Sequence, residues 1–133
     1  MNSDHVSLVK LVYESLARGD VPGMLALFDP QIDWREAEGF AYADGNPYIG
    51  PDAVLKGVFG RLMTEWDGFA ATPREFLATP DGVVALGRYT ATNKMTRLPL
   101  DAPFAHVWRV RDRKVRGFQQ FTDTAQFADV SRP

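Results

Sequence analysis

The spacing of apolar residues changes from a helical period to a strand period near residue 69, and this change constrains the fold strongly. Before it, apolar residues recur every three or four positions over 4–18 and 51–66. After it, apolar and polar residues alternate in four runs, which cover 72–79, 83–96, 104–111 and 115–123. The first spacing places side chains on one helix face, whereas alternation places them on opposite strand faces. The pattern predicts an α+β fold in which antiparallel strands curve around helices.

Turn-forming residues mark where the first elements begin and end. Asp4 can cap the first helix, and Gly19 stands where a glycine commonly ends one. Asp20 can cap a short second helix, which we expect to stop at Asp29-Pro30. A short strand is predicted over 31–36. The second helix therefore lies between Gly19 and Asp29-Pro30.

The segment 37–50 is predicted to be a long loop that carries aromatic residues, among them Phe40 and Tyr42. Loops of this length in compact domains are usually functional or mobile. The helix that follows contains Gly57 and Gly60, each of which weakens a helix by about 1 kcal/mol relative to alanine. We therefore expect this helix to pack closely against a neighbouring element.

Three connections join the last four predicted strands, and two of them contain residues typical of tight turns. Thr79-Pro80-Asp81-Gly82 strongly predicts a hairpin, and a second tight turn is expected around Arg111-Asp112-Arg113-Lys114. Between them, Pro99 and Pro103 are expected to lie in a connection. A short helix is predicted near 124–129, and Asp123 can cap it.

Composition excludes several classes of protein. The chain has 133 residues and no cysteine, which excludes disulfide scaffolds and cysteine-ligated metals. Its net charge of −2 does not favour binding to nucleic acid or to a membrane, and the basic residues over 109–116 indicate a solvated hairpin. Two histidines without a metal-binding spacing predict no metal site, and no nucleotide-binding motif predicts a cofactor. The N-terminus lacks the pattern of a signal peptide, so we expect a cytoplasmic protein with a single domain over 1–133.

Five short sequence motifs, in order along the chain, carry a family resemblance. They are Ala17-Arg18-Gly19-Asp20 with Leu27-Phe28, Asp33-Trp34-Arg35-Glu36, Tyr48-Ile49-Gly50-Pro51-Asp52-Ala53-Val54, Ala105-His106-Val107-Trp108-Arg109-Val110 and Phe118-Gln119-Gln120-Phe121-Thr122-Asp123-Thr124. With them the chain resembles the SnoaL-like and ketosteroid-isomerase-related branch of the nuclear transport factor 2-like superfamily. The resemblance implies a cone in which a curved antiparallel sheet wraps around three helices of the N-terminal half. It also implies an apolar pocket inside the cone and a homodimer formed through the open face of the sheet.

The resemblance also implies site residues. Glu36 occupies the position of the catalytic aspartate of the isomerases, eight residues after Leu27-Phe28. The isomerase oxyanion tyrosine corresponds to Val12, with Tyr13 one residue later, and the protonated aspartic acid corresponds to His106. SnoaL-like cyclases instead pair a late-strand histidine with a polar group on the last strand, here Gln120 or Asp123.

The residues themselves support these roles but leave alternatives open. Glu36 beside Trp34 would have a raised pKa suited to a general base, or it is a solvated loop carboxylate. His106 shares a strand face with Trp108, so it is either an electrophile facing the pocket or a core histidine bonded to the backbone. Tyr13 is either a second donor or a packed tyrosine.

Two hypotheses about function follow. The first is a cofactor-free acid–base enzyme of the isomerase, cyclase or lyase type, which acts on a small apolar substrate with a carbonyl group. Its catalytic residues would be Glu36, His106 and Tyr13. The second is a module of the same fold that binds a small apolar or aromatic ligand, or dimerises, without turnover. In both, the predicted ligand-binding residues are Trp34, Tyr48, Phe59, Met63, Arg88, Trp108 and Gln120.

Overall fold

A curved sheet of six strands packs against helices from the N-terminal half of the chain. The computed structural model describes the backbone of residues 2–133 and the side chains of residues 4–133. The strands are β1 (Phe28–Arg35), β2 (Tyr48–Ile49), β3 (Trp66–Thr79), β4 (Gly82–Asn93), β5 (Pro99–Arg111) and β6 (Lys114–Thr122). Their order in the sheet is β2-β1-β6-β5-β4-β3, and all pairings are antiparallel except that of β1 with β6. The predicted α+β architecture is confirmed, with this parallel pair as an addition.

The helices lie where the apolar period predicts them. They are α1 (Asn2–Ala17), α2 (Val21–Leu25), α3 (Pro51–Val54), α4 (Gly60–Glu65) and α5 (Thr124–Ser131), and a π-helical turn over Leu55–Phe59 joins α3 to α4. Asp20 caps α2 by accepting a hydrogen bond from the backbone N–H of Gly23 at 2.9 Å. Asp123 caps α5 in the same way through the N–H of Gln126 at 3.1 Å. The predicted caps Asp20 and Asp123 are therefore confirmed. Asp4, which we expected to cap the first helix, lies inside the first turn of α1, because this helix already begins at Asn2.

Three sequence-based boundaries need correction, and all three involve proline. Pro30 does not stop α2, which ends earlier at Leu25, and it lies inside β1. Pro99 and Pro103 lie in β5 and not in a connection. They precede Phe104, where the pairing of β5 with β6 begins, so this part of β5 pairs with β4 alone. A strand with a partner on only one side accommodates proline, because the N–H that proline lacks would point to the unpaired side and would bond to no neighbouring strand.

Alternation along the last three strands directs one row of side chains toward the helices. Phe104, His106 and Trp108 of β5 are each at most 4% exposed, and they follow one another on the inner face. Tyr89 of β4 and Gln120 of β6 are each 4% exposed on the same face. Bulges in β3, where the register shifts twice, bend the sheet over α1. The curvature encloses polar side chains between the sheet and the helices.

Gly57 lies where the helical stretch 51–65 meets the aromatic loop. A Cβ atom on Gly57 would lie 2.0 Å from Cε1 of Tyr48, so only glycine lets the ring of Tyr48 pack against the helix. The predicted close packing of this helix is thereby confirmed. The loop itself is partly ordered as a 3-10 helix over Ala41–Gly45 and the short strand β2. Over residues 2–133, no helix has the length and apolar character that crossing a membrane requires.

Candidate active site

An apolar cavity lies between the inner face of the sheet and helices α1, α2, α4 and the π-helical turn. Its walls are mostly aromatic and aliphatic, and its polar side chains are Tyr13, Glu36, Tyr89, His106 and Gln120. The cavity volume is about 40 Å³. The cavity is therefore narrow, and a ligand larger than a few water molecules must be flat or must displace side chains.

Glu36 follows directly after β1 and is held in place from both sides. Its backbone N–H donates to Oδ1 of Asn46 at 2.9 Å, and Nδ2 of Asn46 donates to the backbone oxygen of Glu36 at 2.8 Å. The side chain is buried in the cavity wall, where Nε1 of Trp34 donates to Oε2 at 3.1 Å. Among residues 4–133, the side-chain hydrogen bond to this carboxyl group uses Oε2 and not Oε1. This carboxyl group therefore has one oxygen fixed and one available to a ligand.

Burial determines the acidity of Glu36. Loss of hydration raises the pKa of its carboxyl group to about 7, and the hydrogen bond from Trp34 and the positive charge of Arg61 oppose the rise. A group with this pKa exchanges protons readily near neutral pH, as a general base must. The alternative of a solvated loop carboxylate does not describe Glu36, which is 3% exposed. Glu38, two residues later, is an exposed carboxylate.

A hydrogen-bonded network of five side chains forms another wall of the cavity. His106 lies between two tyrosines, with Nδ1 at 2.6 Å from the hydroxyl oxygen of Tyr13 and Nε2 at 2.5 Å from that of Tyr89. Nε1 of Trp108 donates to the hydroxyl oxygen of Tyr13 at 2.9 Å. Nε2 of Gln120 donates to the hydroxyl oxygen of Tyr89 at 2.9 Å. We call these five residues the polar network.

The polar network is neutral. Burial lowers the pKa of His106 well below its ordinary value, so the imidazole carries a single N–H. Burial raises the pKa of Tyr13, and burial together with the charge of Glu36 raises the pKa of Tyr89, so both phenols stay protonated. The ring of His106 also stacks on Phe104, with centroids 3.9 Å apart. His106 bonds to side chains and not to the backbone, contrary to the core-histidine alternative.

The structure brings together most of the residues that the sequence predicts for the site. Seven of them line the cavity, namely Tyr13, Trp34, Glu36, Phe59, His106, Trp108 and Gln120. Gln120 is on the inner face as expected, and Oε1 of its amide accepts the backbone N–H of Ala37 at 3.0 Å. Asp123, the other candidate on the last strand, is the cap of α5 and does not line the cavity.

Three predicted ligand-binding residues lie outside this cavity, which corrects their expected position. The ring of Tyr48 packs on Gly57, and its hydroxyl donates to the backbone oxygen of Tyr42 at 2.7 Å. Met63 is 54% exposed on the outer side of α4. Arg88 points to the outer face of the sheet, because it is next to the inward-facing Tyr89 on β4. Its Nε lies 2.7 Å from Oδ1 of Asp101.

Sequence reasoning missed Tyr89, which contacts His106 directly. The signal was present in the alternation of β4, because Val83, Ala85 and Tyr89 lie on one face. Phe118, whose ring centroid is 3.7 Å from that of Trp34, was also not singled out as a wall of the site. Among the described residues, no cluster of three or more histidine, aspartate or glutamate side chains is arranged to hold a metal ion.

Comparisons with known proteins give the same architecture. The SnoaL-like domain family matches residues 9–118. The crystal structure of an NTF2-like protein from Burkholderia thailandensis E264 is similar, with 35% identity, coverage of 96% of each chain and a TM-score of 0.90. A SnoaL-like polyketide cyclase from Jannaschia sp. CCS1, assigned on a putative basis, is 16% identical, with 99% of this chain and 94% of that chain covered and a TM-score of 0.81.

A third similar structure is that of TerC, which was co-crystallised with polyporic acid. It is 23% identical, with 96% of this chain and 98% of that chain covered and a TM-score of 0.86. No curated protein matches this chain.

Proposed function

We propose that this chain, which belongs to the SnoaL-like domain family, is an acid–base enzyme of the isomerase, cyclase or lyase type. The observation that carries the proposal is the placement of Glu36. A buried carboxyl group with a pKa raised to about 7 lines the same cavity as a network of neutral hydrogen-bond donors. A base and a set of donors around one apolar space are the parts that proton abstraction next to a carbonyl group requires.

In the proposed reaction, the carboxylate of Glu36 removes a proton from the carbon next to a substrate carbonyl. The electron pair of the broken C–H bond forms a carbon–carbon double bond, and the carbonyl oxygen becomes an enolate oxygen. A hydroxyl of the polar network donates a hydrogen bond to that oxygen. Glu36 then returns the proton to a different carbon in an isomerisation. In a cyclisation, the enolate carbon attacks a second carbonyl carbon, and the proton goes to the new alkoxide oxygen. These steps need no cofactor.

The walls of the cavity support a flat, apolar substrate. Trp34, Phe59 and Phe118 present rings to the cavity, and aromatic walls favour planar ligands through stacking and edge contacts. Lining side chains with a fixed positive charge are absent among the described residues, so a carboxylate or phosphate on the substrate has no partner inside. We therefore propose a neutral ketone or quinone-like compound with few polar groups.

The test follows proton abstraction without knowledge of the natural substrate. The ketone 2-tetralone is flat and apolar and has acidic hydrogens next to its carbonyl group, and NMR in deuterated buffer measures their exchange. We expect the parent protein to accelerate exchange and the Glu36→Gln variant to lose about 100-fold or more of that acceleration. Glu38→Gln is the matched control, because it removes a carboxylate two residues away that is exposed. Equal acceleration by the parent and Glu36→Gln refutes the assignment of the base.

Binding without turnover is the second candidate function, and the narrow cavity favours it. The cavity volume is only about 40 Å³, so a substrate must open the site before it can react. Ligand-induced shifts in the NMR spectrum, with no accelerated exchange for any planar ketone, would support this candidate over the enzyme.

The proposal includes a homodimer formed through the outer face of the sheet. Two apolar rows cross this face at matched register positions, Leu77–Val84–Val107 and Leu86–Ala105–Phe121. Leu77 and Phe121 are 44% and 54% exposed, and an apolar patch of this kind commonly marks a protein interface. A second copy of the chain would cover both rows.

A further inference from the structure

The hydrogen bonds at the two ends of the polar network have a fixed direction. Indole Nε1 of Trp108 can only donate, so the hydroxyl oxygen of Tyr13 is the acceptor of that bond. The backbone N–H of Ala37 donates to Oε1 of Gln120, so the amide nitrogen of Gln120 faces Tyr89 and donates to its hydroxyl oxygen. Each phenol therefore already accepts one hydrogen bond before His106 is considered.

The hydrogens between the two phenols can now be counted. A neutral imidazole has one N–H and one bare nitrogen, and both nitrogens of His106 face a tyrosine hydroxyl. One of these two bonds uses the hydrogen of His106, and the other uses the hydrogen of one tyrosine. The hydrogen of the other tyrosine has no acceptor within the network. With the hydrogen on Nδ1, the free one belongs to Tyr13, and with the hydrogen on Nε2, it belongs to Tyr89.

We propose that His106 is a neutral positioning residue whose tautomer decides whether Tyr13 or Tyr89 offers its phenolic hydrogen to a ligand oxygen in the cavity. Both tyrosines line the cavity, so either hydrogen can be directed toward a bound molecule. The inference deepens the proposed function, because the ligand oxygen it serves is that of the enolate. It assigns to Tyr89 a donor role and to His106 an indirect one.

Glu36 biases the choice between the two tautomers. Glu36 and Tyr89 line the same cavity, and the negative charge of Glu36 adds to the larger effect of burial in raising the pKa of the Tyr89 phenol. An ionised Glu36 attracts a free hydroxyl hydrogen. It therefore favours the tautomer in which the hydroxyl hydrogen of Tyr89 is the free one. The unliganded protein above neutral pH is then expected to carry its imidazole hydrogen on Nε2.

Nitrogen-15 NMR of the imidazole ring tests the proposal, since the chain has only His5 and His106 to distinguish. Tyr13→Phe leaves Nδ1 without a partner, and an unpaired acceptor costs less than an unpaired N–H, so we expect the hydrogen on Nε2. Tyr89→Phe leaves Nε2 without a partner, and we expect the hydrogen on Nδ1. The same tautomer in both variants would overturn the proposal.

The parent protein gives a second measurement that needs no variant to fold. We expect His106 to remain neutral, with one protonated nitrogen, at pH 6.5 and above, because burial lowers its pKa well below 6.5. A doubly protonated ring in this range overturns the hydrogen count, because it would donate to both tyrosines and free both phenolic hydrogens. These spectra require no turnover, so they stand or fall separately from the exchange assay for Glu36.

Binding of 2-naphthol, which shares the carbon skeleton and the oxygen position of the enol of 2-tetralone, supplies a functional readout. Each single variant keeps one free phenolic hydrogen, so we expect its affinity to fall by less than about fivefold. The double variant Tyr13→Phe, Tyr89→Phe keeps none, and we expect a loss of about tenfold or more. Tyr48→Phe is the matched control, because its hydroxyl lies outside the cavity. If one single variant loses as much as the double variant, one tyrosine alone is the donor and the exchange between them is refuted.

Discussion

Replacing Glu36 by glutamine should make the protein more stable, by an amount that depends on pH. The carboxyl group of Glu36 has a pKa of about 7 in the folded protein against an ordinary value of 4.5. Between these two pH values the folded chain keeps a proton that the unfolded chain releases, so the free energy of unfolding of the parent falls as the pH rises. Glutamine does not titrate and keeps an oxygen that can accept from Trp34, so the variant lacks this loss.

The magnitude follows from the size of the pKa difference. One pKa unit corresponds to about 1.4 kcal/mol, so a rise from 4.5 to about 7 makes the variant more stable by about 3 kcal/mol above neutral pH. The advantage should shrink steadily on acidification and vanish near pH 4.5. Other titrating groups, His106 among them, are present in both proteins and largely cancel in the difference.

Urea denaturation of parent and variant at several pH values measures this difference directly. Glu38→Gln serves as the control for removing one carboxylate from the chain, because Glu38 is exposed. If the stability advantage of Glu36→Gln stays constant between pH 4.5 and neutral pH, burial does not raise the pKa of Glu36. The reasoning about the base would then be refuted.

Three further predictions concern the rest of the molecule. Gly57→Ala should destabilise the protein by about 1–3 kcal/mol in urea denaturation, because the added Cβ would overlap the Tyr48 ring, which outweighs the better helix propensity of alanine. Lys56→Ala is the control and should leave the free energy of unfolding nearly unchanged, because Lys56 is exposed. His106→Phe should lower the free energy of unfolding by about 1–3 kcal/mol above neutral pH, because two phenols lose a partner. This deficit should shrink below pH 6.5, because an unfolded histidine binds a proton there and buried His106 does not. A deficit that grows in acid would contradict this. Phe121→Glu should shift the mass in light scattering from that of a dimer toward that of one chain; a parent protein that is already monomeric at micromolar concentration would contradict the proposed interface.

Local periodicity predicts the faces of elements well in this chain. Alternation in β5 placed His106 and Trp108 together, and helical spacing placed Tyr13 on the buried side of α1, where all three line the cavity. The same rule applied to β4 would have selected Tyr89 and turned Arg88 outward, so these two errors came from incomplete use of a valid signal.

Long-range pairing accounts for what periodicity could not predict. The parallel pairing of β1 with β6 joins residues about 85 positions apart, and nothing in either segment specifies that partner. Tyr48 turns toward Gly57 because the loop folds back on the helix, which depends on close packing between distant parts of the chain. The contact of His106 with Tyr13, at a separation of 93 residues, likewise arises only when the sheet curves around α1.

The pH dependence of proton exchange tests the central claim most directly. The rate at which the parent protein exchanges the acidic hydrogens of 2-tetralone should rise with pH and level off above the pKa of Glu36, near 7, because the carboxylate is the active form. Glu36→Gln should show neither the acceleration nor the rise, whereas Glu38→Gln should retain both. An accelerated rate in the parent that persists in Glu36→Gln with the same pH dependence would contradict the account, because the base would then be another group.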